Sequence, residues 1–462
     1  MKITVLEKNA KKECVRVVFS ENIGGNRFCS DGKRGILEMK VPKKEEMTRR
    51  QWIVFVRSII LEAKKHKIDR LEIIWKDLVA FDKLGNDLAK IFAEAVYMAD
   101  YEFRKYKKKP EEGWHNIAEV ILLINKKDKT FVRQNLRRGA TIAKQVNFCR
   151  DLANTPGADM TPIHLVSVVR KMIKGTALKL RVLDEKQMRR KKMNGVLTVG
   201  QGSSVQSRFI ILEYAGAGEN TKPTVLVGKG VTFDSGGIDT KPHPHGLEMM
   251  MDMSGAAAVV ATILVAEKLG LKKNIVALIP AVENMPSGSS VRPGDIITMM
   301  DGTHVEVGHT DAEGRLILAD ALTFAKSFNP KQVIDVATLT GAAMVALGER
   351  ASAIFTDNEE LAQKTIISAE KTGDDVWRLP LWDEYAAEIA GTYGDIANIR
   401  TKGQSGAGGA ITAAMFLKNF AKDYVDNWMH IDIAPTMTAV FDENLAKGAK
   451  GSPVRLLVEL LS

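Results

Sequence analysis

The chain predicts an α/β protein of two domains. A smaller amino-terminal α/β domain covers 1–150 and ends in a linker helix, and a larger carboxy-terminal domain over 151–462 is built on a mostly parallel central sheet flanked by helices. Three observations carry this. The 462 residues suffice for two or three sizeable cores, and 45% hydrophobic with 26% charged is ordinary globular composition. Short strand-like apolar runs alternate with amphipathic runs of helical period along most of the chain. One long helical pattern over 131–152 stops at Asn154-Thr-Pro-Gly157, where proline and glycine break it.

In the first domain, 3–6 and 71–75 read as strands, and 52–65 and 86–99 as amphipathic helices. Beyond the linker come a helix over 164–173 and strands over 178–183, 209–214 and 224–227. A helix over 256–269, a strand over 274–279, a helix over 316–328 and a strand over 332–336 follow. Strands spaced by helices argue for a parallel sheet covered on both faces. The longest strongly apolar stretch, 256–266, is too short to span a bilayer, and the Met-Lys-Ile-Thr-Val start lacks a signal peptide's apolar core. A cytoplasmic protein is expected. Cys14, Cys29 and Cys149 are odd in number and lack metal-ligand spacing, which suits unpaired thiols in a reducing compartment.

The net charge of +10 is uneven. Residues 1–150 hold 34 Lys and Arg against 20 Asp and Glu, or +14, and the remainder holds 32 against 36, or −4. Basic runs at 105–109 and 133–138 permit a surface attractive to nucleic acid. Aromatic interleaving is sparse and no nucleic-acid-binding motif of known spacing is visible, so a solvated basic face is the expectation.

Two segments concentrate chemistry. Around Thr310, Asp311, Glu313 and Arg315 alternate beside Gly314, directly before the helical run at 316–328, so three charged groups are aimed the same way. Such a cluster is costly to bury unless a cation or substrate compensates it, although acids at a helix N-terminus also suit a solvated turn. In the glycine-rich segment 227–257, Lys229, Asp234, Lys241 and Asp252 follow the strand over 224–227 in what reads as a loop. That places them beyond a strand's carboxyl end, where α/β sheets present their ligands. Asp234, Asp252, Asp311 and Glu313 are hard oxygen donors whose four charges balance two divalent cations. His243 and His245 lie nearby, but loop histidines are expected to be solvated. From the residues alone, Lys229 reads first as an ion-pair partner for Asp234; for Arg315, pairing with Asp311 or Glu313 is the alternative to a role at the site.

The motifs resemble the leucine aminopeptidases, two-metal exopeptidases of the cytosol. The likeness rests on His309-Thr-Asp-Ala-Glu-Gly-Arg-Leu316 and on Val-Gly-Lys-Gly-Val-Thr-Phe-Asp-Ser-Gly-Gly over 227–237. Val199-Gly-Gln-Gly-Ser203, Glu283-Asn-Met-Pro-Ser-Gly288, Arg292-Pro-Gly-Asp295, Ala337-Thr-Leu-Thr-Gly341, Gly408-Gly-Ala-Ile-Thr412 and His430-Ile-Asp-Ile-Ala434 add to it. It covers roughly 150–462.

The resemblance implies a catalytic metallopeptidase domain in which Lys229, Asp234, Asp252, Asp311 and Glu313 ligate two divalent ions per subunit, Mn²⁺ or Zn²⁺ with Mg²⁺ or Co²⁺ as alternatives. Asp234 and Glu313 are the bridging candidates. Lys229 ligates only as the neutral amine, which adjacent dications and burial promote. The catalytic residues implied are Lys241, suited to an oxyanion, and Arg315, which holds a bicarbonate that serves as base. Met249, Thr338, Leu339, Gly341, Ala434 and Met437 are the implied pocket for a leucine-like first residue; for Met249, core packing is the alternative. The expected reaction is release of an amino-terminal residue from a peptide with a free α-amine, faster at mildly alkaline pH because that amine must be neutral. A homohexamer is also implied, and an added DNA-binding role through the basic amino-terminal domain is the alternative function.

Three positions depart from the family pattern. His309 replaces an asparagine, Ser254 stands where glycine is usual, and Asp239 adds a carboxylate that competes for Lys241. None removes a ligand.

Overall fold

The computed structural model describes residues 1–7, 13–30, 32, 34–43, 45–81, 84–218 and 220–462. The chain divides into two compact units, one of 1–147 with 439–447 and the other of 148–438 with 448–462. A single break at 150 therefore misses the return of 439–447 to the first unit. That segment is held by side-chain bonds that leave no local sequence pattern. Arg57 Nη1 donates to the Glu443 carbonyl at 2.9 Å, and Asn444 Nδ2 to the Val54 carbonyl at 3.1 Å.

The first unit contains β1 (Lys2–Leu6), β2 (Val15–Ser20), β3 (Arg27–Ser30), β4 (Gly35–Lys40), β5 (Arg70–Ile74) and β6 (Glu119–Leu123). They form one sheet in the order β1-β6-β5-β2-β4-β3, parallel except for the β3–β4 pair. The helix Arg49–Lys65 opens on a capping box between Thr48 and Gln51 and buries Trp52, Val56, Ile59 and Ile60 on one face, as the helical period requires. Trp75 does not extend β5 but begins the short helix Trp75–Val79.

The second unit begins with the later part of the helix Lys129–Asn154 and continues through β7 (Lys179–Leu183), β8 (Arg208–Ala215), β9 (Thr224–Gly228), β10 (Gly230–Asp234) and β11 (Asn274–Asn284). After the short β12 (Ile296–Thr298) and β13 (His304–Glu306) come β14 (Gln332–Ala337), β15 (Ser352–Phe355), β16 (Val376–Arg378), β17 (Ile396–Ala397) and β18 (Trp428–Asp432). Nine of these form the central sheet, ordered β16-β15-β18-β14-β9-β11-β8-β7 with β10 beside β11. Its middle, β18-β14-β9-β11, is parallel, and the outer pairs β15–β18, β11–β8 and β8–β7 are antiparallel. Strands buried on both faces read as continuous apolar runs, which is why β9 and β14 were legible.

The glycine-rich segment expected to be loop opens instead with β10, so Asp234 ends a strand. Downstream, the helical run Met249–Leu269 is 21 residues long with hydropathy 1.8. By length and composition that is enough to cross a membrane, contrary to the expectation that no stretch is long enough, yet 89% of its apolar window is buried inside the protein. The helix Ser254–Leu269 lies against the sheet so closely that a Cβ on Gly255 would meet the Val336 carbonyl oxygen at 2.1 Å. Opposed to Val225 and Val227 in the same core is the helix Gly314–Ala325, whose apolar face includes Leu316, Leu318 and Leu322.

Candidate metal centre and substrate cavity

Parallel strands in a twisted sheet all release their chains at one edge, and the predicted chemistry collects there. Lys229 follows β9, Asp234 and Asn284 end β10 and β11, Thr338 follows β14 and Asp432 ends β18. Asp252 precedes the helix Ser254–Leu269, and Glu313 is the N-cap residue of Gly314–Ala325. Three carboxylates, those of Asp234, Asp252 and Glu313, bring ligand atoms within 4.8 Å of one another, all buried. Asp311 joins them through Lys241, whose Nζ contacts Asp311 and stands 2.9 Å from Asp234 Oδ2.

Lys229 does not pair with Asp234. Its Nζ lies 2.8 Å from Asp252 and 2.8 Å from Glu313, and donates to the Thr338 carbonyl at 2.9 Å. Burial opposes its charge, but Asp252, Glu313 and Asp234 outweigh that and hold its pKa above the ordinary lysine value. Lys241 behaves alike: desolvation lowers its pKa, and Asp234, Glu313 and Asp311 more than restore it. The acids bear the cost of crowding. Burial, with Glu313 and Asp234 adding to it against Lys229, pushes Asp252 well above the carboxylate range. Burial and then the charges of Asp234 and Glu313 push Asp311 up to about 7. Four carboxylates crowded around two ammonium groups in a desolvated place resist ionising together, and a divalent cation bound among them would relieve that crowding.

The donor set fits divalent ions on a second ground. Asp252 Oδ2, Asp311 Oδ1 and Glu313 Oε1 are buried, and the polar groups they face are ammoniums: Lys229 Nζ stands 2.8 Å from the first and the last, and Lys241 Nζ lies against Asp311. Carboxylate oxygens that converge on cationic groups in a buried place make an oxygen-rich donor set that a divalent ion also suits. His243 and His245 are exposed and stand outside this group.

Arg315 is buried and pairs with neither Asp311 nor Glu313 through a hydrogen bond; its Nη1 donates to the Asn398 carbonyl at 2.6 Å, and its Nε has no hydrogen-bond partner among the described residues. Burial lowers its pKa to about 10, against the pull of Glu313 and Asp432.

Beside the carboxylates is a cavity of about 380 Å³ whose walls include Lys229, Asp234, Lys241, Asp252, Asp311 and Arg315. Met249, Thr338, Leu339, Gly341, Ala434 and Met437 all line it, so Met249 faces the cavity. The Thr338 hydroxyl is turned onto Asp252 Oδ1, at 2.6 Å, and thus orients a carboxylate as well as lining the wall. His309 is also at the wall; its Nδ1 accepts the Asp311 amide at 3.1 Å. Asp239 does not compete for Lys241, because its carboxylate accepts from the Thr310 amide and hydroxyl at 2.8 and 3.2 Å. Ser254 adopts no positive φ and its hydroxyl donates to the Met251 carbonyl at 2.6 Å, which removes the conformational objection to it.

Sequence reading assigned no role to three supporting groups. Asn284 donates to Asp234 Oδ1 at 2.8 Å and to the Thr310 carbonyl at 3.1 Å. Asp432 accepts from the Leu339 and Ala434 amides and the Thr340 hydroxyl, at 3.0, 3.1 and 2.7 Å, shaping two pocket walls at once. Asn398 binds the segment around Asp311. Asn284 and Asp432 lie inside the quoted motifs, where a buried polar residue at a strand end was the available signal; Asn398 had none.

A family model described as "Cytosol aminopeptidase family, catalytic domain" matches residues 147–458. Proteins of Paraburkholderia phytofirmans and Burkholderia mallei, each described as "Probable cytosol aminopeptidase", are 43% identical over 361 residues. Those alignments cover 78% of this chain and 69% and 70% of the two relatives. Two solved structures of the bottromycin maturation enzyme BotP, one in complex with Mn, are 30% identical with a TM-score of 0.85, covering 98% of this chain and 99% of theirs. With buried carboxylates and an adjoining cavity already brought together by the motifs, these likenesses place the chain in the cytosol aminopeptidase family, as a peptide hydrolase of the leucyl aminopeptidase kind.

Proposed function

We propose that the protein removes leucine-like amino-terminal residues from peptides with two divalent metal ions held by Lys229, Asp234, Asp252, Asp311 and Glu313. The observation that carries this is the convergence of the buried Asp234, Asp252 and Glu313 carboxylates, with ligand atoms within 4.8 Å of one another, beside a cavity that Asp234, Asp252 and Asp311 line. Bound there, the metals supply Lewis acidity toward the scissile carbonyl and activate water. Mn²⁺ and Zn²⁺ are the favoured ions; the manganese in one BotP structure supports the first, and Mg²⁺ or Co²⁺ satisfies the same oxygen-rich set less specifically.

The chain's own groups perform the remaining tasks. Lys241, kept charged by its acidic neighbours, presents an ammonium to the cavity where negative charge develops on the carbonyl oxygen. Arg315 keeps donors for an anion, since its Nε is buried without a partner, and a bidentately held bicarbonate accepts the proton that a guanidinium cannot. Met249, Leu339, Ala434 and Met437 give an apolar wall of adaptable shape, and Gly341 leaves open space for a branched side chain. The cavity volume of about 380 Å³ suits one residue and its neighbouring amide, and a substrate seated there presents its free α-amine to the carboxylate cluster.

Cytoplasmic location is supported by the name of the relatives, and assembly as a homohexamer by family resemblance alone. Nothing supports nucleic-acid binding. Several basic groups of the first unit are engaged by acids, as Lys64 with Glu102, Lys67 with Glu112 and Lys129 with Glu7, each at 2.6 Å.

The test is hydrolysis of leucine amide by metal-stripped protein, with Mn²⁺, Zn²⁺, Co²⁺ or Mg²⁺ added back. Activity is expected to vanish on stripping, return with Mn²⁺ or Zn²⁺, and stay absent in Glu313→Ala. Undiminished turnover after stripping, or equal turnover of an acetylated substrate, overturns the proposal.

A further inference from the structure

Asp311 sits in a stretch with no regular structure, between β13 and the helix Gly314–Ala325, and a group in a reacting constellation has to be held to within about 0.5 Å. The holding group comes from another part of the chain. Asn398, fully buried just after β17, accepts the Gly308 amide at 2.7 Å and the His309 amide at 3.3 Å on Oδ1. Its Nδ2 donates to the His309 carbonyl at 2.7 Å and the Ala312 carbonyl at 3.2 Å. Both halves of one amide are thus saturated by the backbone of 308–312, and its own carbonyl oxygen receives Arg315 Nη1 at 2.6 Å. The backbone amide of Asn398 is anchored in turn on the Glu306 carbonyl at 2.9 Å. Close approach is built in: a Cβ on Gly308 would meet Ile399 Cγ1 at 2.5 Å.

We infer that Asn398 is a positioning residue for the hydrolytic reaction: it keeps the stretch carrying Asp311 and the guanidinium of Arg315 in register on one cavity. The inference rests on the reading of Arg315 as the group that steers the base. Aspartate keeps the two acceptor bonds but sets a carboxylate against two carbonyls, and alanine loses all four bonds. Because Arg315 Nε has no partner, the Asn398 carbonyl is its one hydrogen-bond anchor among the bonds described, and a shift of this backbone is a shift of the guanidinium. A displacement of about 1 Å at a reacting group costs on the order of 100-fold in rate.

The experiment is a double-mutant cycle on the metal-loaded, full-length enzyme, reading kcat and KM with leucine amide for Asn398→Ala, Arg315→Ala and the pair, together with hydrogen exchange of the peptide spanning 305–313. Asn398→Ala is expected to lower kcat by roughly 10- to 100-fold with KM changed by less than about threefold, to raise exchange at Gly308 and His309, and to cost at most a few-fold more in the Arg315→Ala background. Asn398→Asp, measured in parallel, is expected to lose kcat in the same way, so the conclusion does not hang on the folding of one variant. Wild-type kcat in Asn398→Ala, or losses that multiply in the double variant, overturns the positioning role. An Arg315→Ala variant with unchanged kcat instead overturns the role of Arg315 itself.

Discussion

At Gly314 local preference and site geometry pull in opposite directions. Alanine at the start of this helix is worth up to about 1 kcal/mol over glycine in propensity. Here, however, a Cβ would lie 2.5 Å from Lys229 Cε and 2.7 Å from its Nζ, and Lys229 is itself fixed between Asp252 and Glu313. Gly314→Ala is therefore expected to lower the melting temperature, at a cost of about 1–3 kcal/mol from overpacking, and to reduce kcat/KM at least tenfold, on the order of magnitude that misplacement of a reacting group produces. Thermal unfolding and steady-state kinetics on the same preparation check both. A more stable Gly314→Ala enzyme with normal kinetics contradicts the packing argument.

Among the elements, adjacent strands β14 and β18 share a buried polar pair that the motifs did not disclose. His430 Nδ1 is 2.5 Å from Asp335 Oδ1, and the other oxygen of Asp335 accepts Trp428 Nε1 at 2.7 Å. Burial works against a charged imidazole, but Asp335 outweighs it and raises the His430 pKa above the ordinary 6.5. A histidine raised on folding contributes stability that is complete below its unfolded pKa and is lost as pH climbs through its folded value. Asp335→Asn is accordingly expected to lower the melting temperature more at about pH 5.5 than at about pH 9. A penalty that is equal at both values, or larger at the alkaline one, contradicts the charged pair. The apolar residues of β14 were legible because a strand covered on both faces is written as a run of Val, Ile and Ala, whereas β18, Trp-Met-His-Ile-Asp, was not read as a strand. The identity of Asp335 as a partner of His430 was not legible either, since pairing across strands is set by register.

On the scale of the whole molecule, legibility follows how local the information is. Lys229 with Asp234, and Asp311 with Glu313 and Arg315, each lie a few residues apart, so the motifs marked them as candidates, although the ion pair that local spacing suggested for Lys229 and Asp234 gives way to pairs with Asp252 and Glu313. Asn398, nearly 90 residues from Gly308 and His309, was not marked. The same limit hid β10 within a glycine-rich stretch and the return of 439–447 to the first unit. That return supplies a check of its own. Asn444 has φ of 53° and donates to the Val54 carbonyl. Asn444→Ala loses the bond and strains the backbone by roughly 1–2 kcal/mol, so faster proteolysis within 439–447 is expected with kcat unchanged. A proteolysis rate equal to that of wild type counts against this anchoring.

Asp432 is the last residue of β18 and orders the walls around Leu339 and Ala434. The acids at 234, 252, 311 and 313 are translated well before it, so a growing chain on the ribosome holds every charged group of the site while the wall that grips a substrate is still missing. A chain cut short before 428–437 therefore keeps the charged cluster but lacks the strand that pairs with β14 and the walls that Asp432 orders.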